Sequence, residues 1–449
     1  MHIYHQPSAL LQRLIQFDTT NPPGNVAECV AFINEILRDA GIETKLIGKT
    51  PERPNLVARL SGQGQAPPLL LYGHVDVVTT VGQNWQHPPF AGKIVDDFLW
   101  GRGALDMKGG VAMMLSAFIR AKTCNLSPPG DIILAVVCDE ETGSNFGARF
   151  LVEEHPELFK GVRYAIGEFG GFTFTIGNKT FYPIQVAEKQ MCWLKATVRG
   201  MGGHGSMPVR GGAMAKLAKF LRQLDQNRLP VHITPVPREM IDIIASTNGG
   251  FMGFLTRMLK LPLFTDRILD CIGAPGRLFD SMLHNTVTPT VIKGSEMVNV
   301  IPSEISVGLD GRLLPGFHPD DMLRELRKII DNDVELELMH YWEGPGKPDM
   351  GLFSTLTGIL REAEPGSVPI PLLLSGVTDS RFFSRLGIQT YGFLPMPLPA
   401  GFDFSRLIHA ADERIPVAAI EFGTNAIYQV FSRFGATPMA SEKKQTIKR

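Results

Sequence analysis

Acidic and imidazole side chains stand directly after several apolar, strand-like runs of the sequence or in a glycine-rich loop. They belong to the segments GHVDVV, GRGALDMKGG, CDEETGS and GEFGG, and they are His74, Asp76, Asp106, Glu140, Glu141 and Glu168. In open α/β sheets, ligands collect at the carboxyl ends of the strands, so one cleft can gather all of these groups. Imidazole and carboxylate groups bind zinc, and a catalytic zinc site keeps one position open for water. The sequence therefore indicates a catalytic metal site.

The spacing within two of these segments suggests a division of roles. On an extended chain, the side chains of His74 and Asp76 point to the same face, so Asp76 can hold the far ring N–H of His74 and orient it. The adjacent Glu140 and Glu141 point apart, so one can bind metal while the other faces the substrate.

The elements that position these side chains are predicted to be β-α-β units. Apolar runs at residues 55–60, 68–72 and 131–138 predict strands, and the last two are nearly continuous, as in strands covered on both faces. Residues 108–121 predict a helix between them. This alternation predicts an α/β fold with a mixed, largely parallel sheet flanked by helices.

The composition changes near residue 188, where an inserted α+β domain is predicted. Residues 190–199, 305–313 and 334–340 read as strands, and residues 213–224 and 319–330 read as helices.

The domain boundaries follow from these changes, because the β-α alternation returns at residue 344. We assign residues 1–187 and 344–449 to the two parts of one α/β domain and residues 188–343 to the insertion. Within the insertion, charged residues interrupt the apolar region 240–283, which therefore predicts amphipathic helices rather than a membrane span.

The charge balance and the cysteines exclude several classes of protein. Lys and Arg number 44 against 45 Asp and Glu, so no basic excess indicates nucleic-acid binding. The five cysteines form no Cys-x-x-Cys pair, which favours reduced thiols in a cytoplasmic protein. No stretch reaches the ~18 consecutive apolar residues of a transmembrane helix.

Nine ordered segments closely resemble the zinc metallopeptidase family of acetylornithine deacetylase, succinyl-diaminopimelate desuccinylase, aminoacylase and carboxypeptidase S. The segments are GHVDVV, GRGALDMKGG, CDEETGS, GEFGG, GGHGSMP, MVNVIPSE, DGRLLPG, SGVTDSRFF and IHAADERI. They run in the family's order from residue 73 to residue 415, so the resemblance covers nearly the whole chain. It implies a zinc-exopeptidase-like fold with an inserted lid and dimerisation domain.

The resemblance also implies two zinc ions, for which cobalt or manganese could substitute. Asp106 would bridge the ions, His74 and Glu168 would complete one site, and Glu141 and His409 the other. Two divalent cations and three carboxylates leave one positive charge, which a bridging hydroxide would balance. Glu140 would be the general base that takes the proton of the attacking water, and Asp76 would orient His74.

Further roles that the resemblance implies fall on the inserted domain and a loop near the cleft. His204 matches a histidine that stabilises the tetrahedral oxyanion, often supplied by the partner subunit. Asn299, Arg312, Gly376 and Thr378 match positions that approach the substrate. The inserted domain would also allow a homodimer.

The expected activity is cleavage of the amide bond of an N-acyl amino acid or short peptide with a free carboxylate. An aminopeptidase, or a hydrolase of another C–N bond, on the same site remains an alternative. A catalytically silent binding protein is a third, disfavoured because the base and every ligand position are filled. Region 240–283 is longer than in compact deacetylases and resembles the branch of the family that contains carboxypeptidase S and the N-fatty-acyl amino-acid hydrolases. We therefore expect this region to line an apolar acyl or side-chain pocket.

Overall fold

The computed structural model describes residues 3–272 and 276–435, and the chain divides into two compact units. The first unit comprises Met1–Ile184, Asp349–Pro369 and Phe382–Arg449. The second comprises Gln185–Pro348 and Ile370–Arg381. The second unit therefore contains two separate stretches of sequence.

The first part of the chain contains nine strands and four α-helices within the described residues. The strands are β1 (Thr44–Ile47), β2 (Asn55–Leu60), β3 (Leu69–His74), β4 (Lys93–Val95), β5 (Phe98–Trp100), β6 (Ile132–Val137), β7 (Tyr164–Gly167), β8 (Phe174–Ile176) and β9 (Lys179–Glu188). The helices are α1 (Pro7–Ile15), α2 (Ala27–Asp39), α3 (Lys108–Thr123) and α4 (Ala148–Glu154).

The middle part of the chain alternates strands with a run of helices. The strands are β10 (Gln190–Arg199), β11 (Gly203–His204), β12 (Thr286–Lys293), β13 (Val300–Ile301), β14 (Glu304–Leu313) and β15 (Val334–Trp342). The helices are α5 (Ala213–Gln226), α6 (Pro235–Asn248), α7 (Gly250–Met258), α8 (Pro262–Ile272), α9 (Gly276–Leu283) and α10 (Pro319–Leu326).

The last part returns to short strands and helices. The strands are β16 (Val368–Leu374), β17 (Gln389–Gly392) and β18 (Arg414–Pro416). The helices are α11 (Phe353–Ala363), α12 (Ser380–Phe383), α13 (Phe404–Leu407) and α14 (Val417–Arg433). Short 3₁₀ helices cover Ile3–His5, Glu140–Thr142, Pro156–Phe159 and Ser384–Leu386.

The main sheet of the first unit confirms the mixed, largely parallel sheet predicted from the sequence. Its strand order runs β1-β2-β6-β3-β7-β17. The pairs β6–β3, β3–β7 and β7–β17 are parallel, whereas β1–β2 and β2–β6 are antiparallel. Every residue of β3 and of β6 is buried, as the continuous apolar runs predicted. The carboxyl ends of β6, β3 and β7 consequently lie side by side.

Helix α3 is the central helix of the first unit and is buried along nearly its whole length. It packs against β3, α1 and α14. Its first turn approaches the preceding loop so closely that a Cβ atom at Gly109 would lie 2.1 Å from the carbonyl oxygen of Ala104. Glycine at this position therefore allows the helix to approach the loop that carries Asp106.

The second unit contains a four-stranded antiparallel sheet in the order β12-β14-β10-β15. One face carries Cys192, Leu194, Ala196 and Val198, which form a core with residues of α5 and α10. The predicted amphipathic helices of region 240–283 are present as α6 to α9.

Helix α7 buries little of its apolar surface. Only Gly253 of this helix is buried, and a Cβ atom there would lie 2.3 Å from the carbonyl oxygen of Ala245 in α6. Phe251, Met252 and Phe254 are exposed. The close contact with α6 is thus made by a residue without a side chain, whereas these three large apolar side chains lie at the surface.

The described helices lack the combination of length and apolar character that a membrane span requires. The five cysteines are free thiols, three of them buried.

Candidate metal centre

Three neighbouring strands deliver most of the candidate ligands. His74 is the last residue of β3, Glu168 follows β7, and Glu140 and Glu141 begin the 3₁₀ turn after β6. Because β6, β3 and β7 are adjacent and parallel, their carboxyl ends bring these side chains to one edge of the sheet.

The first group of candidate ligands is His74, Asp106 and Glu168. The Nε2 atom of His74 lies 3.2 Å from Oδ1 of Asp106 and 3.5 Å from Oε2 of Glu168. His74 is 1% exposed, so the group lies below the surface of the unit.

The second group shares the aspartate with the first. The Nε2 atom of His409 lies 3.1 Å from Oδ2 of Asp106 and 3.3 Å from Oε2 of Glu141. The two oxygens of Asp106 therefore face two different groups. In each group the candidate ligand atoms all lie within 4.8 Å of one another.

The distances and the donor set fit divalent metal ions. Ligands ~2.1 Å from a tetrahedral zinc ion are separated by roughly 3.4 Å, close to the spacings seen here. The Nδ1 atom of His74 lies 3.0 Å from the carbonyl oxygen of Asp76. If the neutral ring donates its N–H to this carbonyl, the Nε2 atom carries a lone pair that faces the carboxylates of Asp106 and Glu168. The Oε1 atom of Glu141 is buried and has no hydrogen-bond partner among the described residues. A cation between these acceptors would satisfy them.

The pKa shifts of the two candidate imidazole ligands also fit a site for cations. Hydrogen bonds to Asp106 and then Glu141 raise the pKa of His409 to about 10. Burial lowers the pKa of His74, but hydrogen bonds to Asp106 and Glu168 outweigh it, and the net shift is upward. In the absence of metal, the acidic cluster thus holds protons on its imidazoles, and metal binding must release them.

The carboxylate of Asp76 holds the Glu140–Glu141 turn rather than the ring of His74. Its Oδ1 and Oδ2 atoms each accept a backbone N–H at 3.2 Å, from Glu140 and Glu141 respectively. The same carboxylate accepts the side-chain amide of Asn21 at 2.9 Å. Its nearest oxygen is 3.6 Å from Nδ1 of His74, farther than the backbone carbonyl. Asp76 is therefore placed to position Glu140 and Glu141.

Replacing Asp76 by alanine should lower kcat about 10- to 100-fold, the range found when the groups that orient metal ligands are removed. Asp76→Asn, which keeps one acceptor, should lose less. Steady-state kinetics and metal content would check this, with the exposed Asp39→Asn as a control. Full activity of Asp76→Ala would contradict the positioning role.

The sequence did not single out Asn21, which the structure places beside the centre. Its side-chain amide donates to Asp76, to Oδ1 of Asp139 at 3.1 Å and to the hydroxyl of Thr142 at 3.1 Å. The local sequence TTNPPG carries no signal for such a role, because one asparagine before two prolines is typical of an ordinary turn.

Four of the candidate residues outside the metal groups lie on exposed or half-buried surfaces of the second unit. Exposed His204 in β11 holds Ser206 through its Nδ1 atom, and the backbone of Asn299 accepts the N–H of Gly205 at 2.8 Å. The guanidinium of Arg312 pairs with Asp310 at 2.9 Å. Gly376 is half-buried in the loop after β16.

Thr378 differs from the other four because it is 3% exposed. Its backbone N–H and its hydroxyl both donate to Oε2 of Glu188 at 3.0 Å. Burial raises the pKa of Glu188 to about 7, although hydrogen bonds from Ser380 and Thr378 act in the opposite direction. The hydroxyl of Thr378 is thus engaged within its own unit.

The raised pKa of Glu188 gives a testable dependence of stability on pH. A carboxyl that binds its proton more tightly in the folded state contributes stability below its ordinary pKa of 4.5, and that contribution is lost as pH rises through about 7. Glu188→Gln cannot ionise, so relative to wild type it should gain roughly 2 kcal/mol of unfolding free energy between pH 5 and pH 8. Urea unfolding at both pH values would measure this. The exposed Glu296→Gln should follow wild type, and an equal pH response of Glu188→Gln and wild type would refute the assignment.

Comparison with known families supports an enzymatic role. A family model described as peptidase family M20/M25/M40 matches residues 70–433, which include both groups of candidate ligands. The chain belongs to peptidase family M20/M25/M40. This M20/M25/M40 peptidase is accordingly a hydrolase of the metallopeptidase and amidohydrolase class, as the sequence predicted.

Relatives of this M20/M25/M40 peptidase carry several names. It is 28% identical to "Probable carboxypeptidase S-like 2" of Dictyostelium discoideum, over 78% of this chain and 68% of that protein. It is 27% identical to the N-fatty-acyl-amino acid synthase/hydrolase PM20D1 of Homo sapiens, over 82% and 75%. It is 26% identical to aminoacylase-1 of Sus scrofa, over 97% and 96%.

Solved structures, one of them titled an M20 family metallo-carboxypeptidase, share the fold of this peptidase. The metallo-carboxypeptidase Sso-CP2 of Sulfolobus solfataricus matches with a TM-score of 0.68 and 16% identity, over 95% of this chain and 98% of that one. Human carnosine dipeptidase 1 gives the same TM-score and identity, over 96% of each chain.

Proposed function

We propose that this protein is a dinuclear metal hydrolase that cleaves the amide bond of N-acyl amino acids or short peptides with a free carboxylate. The observation that carries the proposal is that the two oxygens of Asp106 face two separate groups of candidate ligands. A carboxylate between two such groups suits a pair of cations better than a single one.

The chain's own side chains would hold the two ions, which we propose to be zinc. Asp106 would bridge them, with His74 and Glu168 on one side and Glu141 and His409 on the other. The set contains imidazole and carboxylate donors without thiolate, so cobalt or manganese could replace zinc. When bound, the ions would polarise the substrate carbonyl and make a water molecule more acidic.

Glu140 would be the general base of this reaction. Its backbone N–H is held by Asp76 at 3.2 Å, and its side chain is half-buried beside the ligand Glu141. It would take the proton of the attacking water and deliver it to the leaving nitrogen. His204 would stabilise the oxyanion, and the other substrate contacts would come from Asn299, Arg312, Gly376 and Thr378. A homodimer through the second unit belongs to the same proposal.

The names of the relatives support the substrate class. They describe a carboxypeptidase-like protein, an aminoacylase and an enzyme acting on N-fatty-acyl amino acids. We further propose that helices α6 to α9 favour substrates with long apolar acyl chains or side chains, because they carry many apolar residues.

Metal analysis combined with a substrate panel tests this function. We expect two divalent ions per chain, loss of activity with a chelator, and recovery on adding zinc. The panel would contain N-acetyl and long-chain N-acyl amino acids, dipeptides, and dipeptides blocked at the amino or the carboxyl end.

Each outcome of the panel separates one alternative. Turnover of N-acyl amino acids that stops when the carboxylate is amidated supports the proposal. Turnover that requires a free amino group instead indicates an aminopeptidase, and strict preference for the acetyl group contradicts the proposed role of the insertion. A protein that is loaded with metal but turns over no member of the substrate panel would contradict the proposed function.

A further inference from the structure

The loops that carry the candidate ligands Asp106 and His409 are joined by a hydrogen-bonded chain of three side chains. We propose that Glu413, Arg102 and Gln83 are positioning residues, which hold Asp106 and His409 in the orientation that binds metal. The inference rests on the proposed function, because it concerns the same candidate metal centre. We call these three residues the Glu413 network.

Glu413 is the centre of this network. It is 0% exposed, and its carboxylate accepts backbone N–H groups of the loop that leads to α3. Oε1 accepts from Leu105 at 2.7 Å and from Asp106 itself at 3.1 Å, and Oε2 accepts from Gly103 at 3.1 Å. The backbone of the bridging ligand is therefore bonded directly to Glu413.

Arg102 and Gln83 extend the network to the second imidazole ligand. Arg102 is 1% exposed and donates to Glu413 at 2.6 Å and to the side-chain oxygen of Gln83 at 2.8 Å. The side-chain nitrogen of Gln83 then donates to the backbone carbonyl of His409 at 2.8 Å. Trp85 also donates to Gln83 at 3.2 Å, which fixes the orientation of the amide.

His409 requires such support because its backbone is in an unusual conformation. Its φ angle is +61°, in the left-handed region that residues with a side chain rarely adopt. The side chain is 50% exposed, so packing alone does not orient it. A hydrogen bond on its own carbonyl restricts the loop rotation that would turn the ring away from Asp106.

The burial of Glu413 and Arg102 supports a role beyond ordinary stability. A buried ion pair is costly to desolvate and is often no more stabilising than an apolar pair of the same size. This ion pair connects the loop of Asp106 to Gln83, which in turn contacts the loop of His409. The network is thus suited to fix the distance between the two loops.

The two ends of the network predict different losses of metal. Gln83 bonds directly to the loop of His409 and reaches the loop of Asp106 only through Arg102 and Glu413, whereas Glu413 is bonded to the backbone of Asp106, which both groups share. Gln83→Leu should weaken binding of one ion about 10- to 100-fold and leave the other at wild-type affinity. Glu413→Gln should weaken both.

The experiment measures metal affinity and stoichiometry on the full-length protein, so it does not depend on activity alone. Each variant is stripped of metal, titrated with Zn²⁺ against a chromophoric chelator, and titrated with Co²⁺ while visible absorption reports the coordination of each ion. Gln12→Leu is the matched control, because half-buried Gln12 donates its side-chain amide to the carbonyl of Gly92 at 2.6 Å in the same unit. Thermal unfolding of the metal-free forms shows whether the variants are folded.

The outcomes distinguish this inference from the proposed function. Loss of one tight site in Gln83→Leu, with two sites kept in Gln12→Leu, supports the inference. Wild-type affinity for both ions in Gln83→Leu overturns the inference while leaving the function intact. Equal losses of metal affinity in Gln83→Leu and in the control Gln12→Leu do the same. A wild-type protein that binds no metal overturns the proposed function itself.

Discussion

Replacing Glu140 by glutamine is expected to lower kcat about 10³-fold, within the range that a general base contributes. The amide cannot accept a proton, but it keeps the size of the side chain and the backbone N–H bond to Asp76. The metal content should stay at the wild-type value, because Glu140 belongs to neither group of candidate ligands. Steady-state kinetics and elemental analysis of the same preparation would measure both quantities.

The exposed Glu43→Gln is the control for this substitution, since it makes the same chemical change on the surface of the same unit. Its kinetics should match wild type. If Glu140→Gln kept full activity, the proton would have to be taken by another group, and the mechanism proposed for Glu140 would be wrong.

Replacing Asp106 by alanine is expected to have the second large effect, because both groups of candidate ligands share this residue. Metal content should fall from two ions per chain toward zero. Turnover should fall at least ~10³-fold, a small part of the ~10⁶-fold or greater acceleration that enzymes provide. Equilibrium dialysis and the kinetic assay would measure the two losses.

Substitution of a candidate ligand that belongs to one group only makes this prediction specific to Asp106. Glu168→Ala and Glu141→Ala each remove a residue of one group only, so each should weaken one ion and spare the other. Asp39→Ala serves as the exposed control. Retention of two tightly bound ions by Asp106→Ala would show that the carboxylate does not bridge them.

The convergence of side chains at the sheet edge was predictable from the sequence. Apolar runs identified β3 and β6, and in a parallel sheet their ends must meet, which placed His74 beside the Glu140–Glu141 turn. Contacts between distant loops were not predictable in this way. Gln83 and His409 are 326 residues apart, and no periodic pattern links two irregular segments.

The position of the Asp76 carboxylate shows where the pattern of alternating side chains stops applying. The expectation that Asp76 holds the ring of His74 assumed that the extended chain continues through both residues. Strand β3 ends at His74, so the alternation of side chains need not extend to Asp76. The carboxylate is turned toward the backbone N–H groups of Glu140 and Glu141 instead.

The apolar insertion was predicted correctly as helices, and the lining of an acyl or side-chain pocket by its surface stays a prediction. Amphipathic spacing predicts that apolar residues face a core, whereas Phe251 of α7 is 73% exposed and Leu263 of α8 is 77% exposed. In α7 the buried contact with α6 is made by Gly253, a contact that the spacing of apolar residues does not indicate.

The division of the second unit between two stretches of sequence limits how the protein can be recombined. Strand β16 carries the chain into Ile370–Arg381, and this short stretch supplies the N–H and hydroxyl of Thr378 that donate to Oε2 of Glu188. A chimera that borrowed only residues 185–348 from a relative would pair a foreign carboxylate with the resident threonine loop. Exchange of this unit between homologues therefore requires both stretches to be transplanted together.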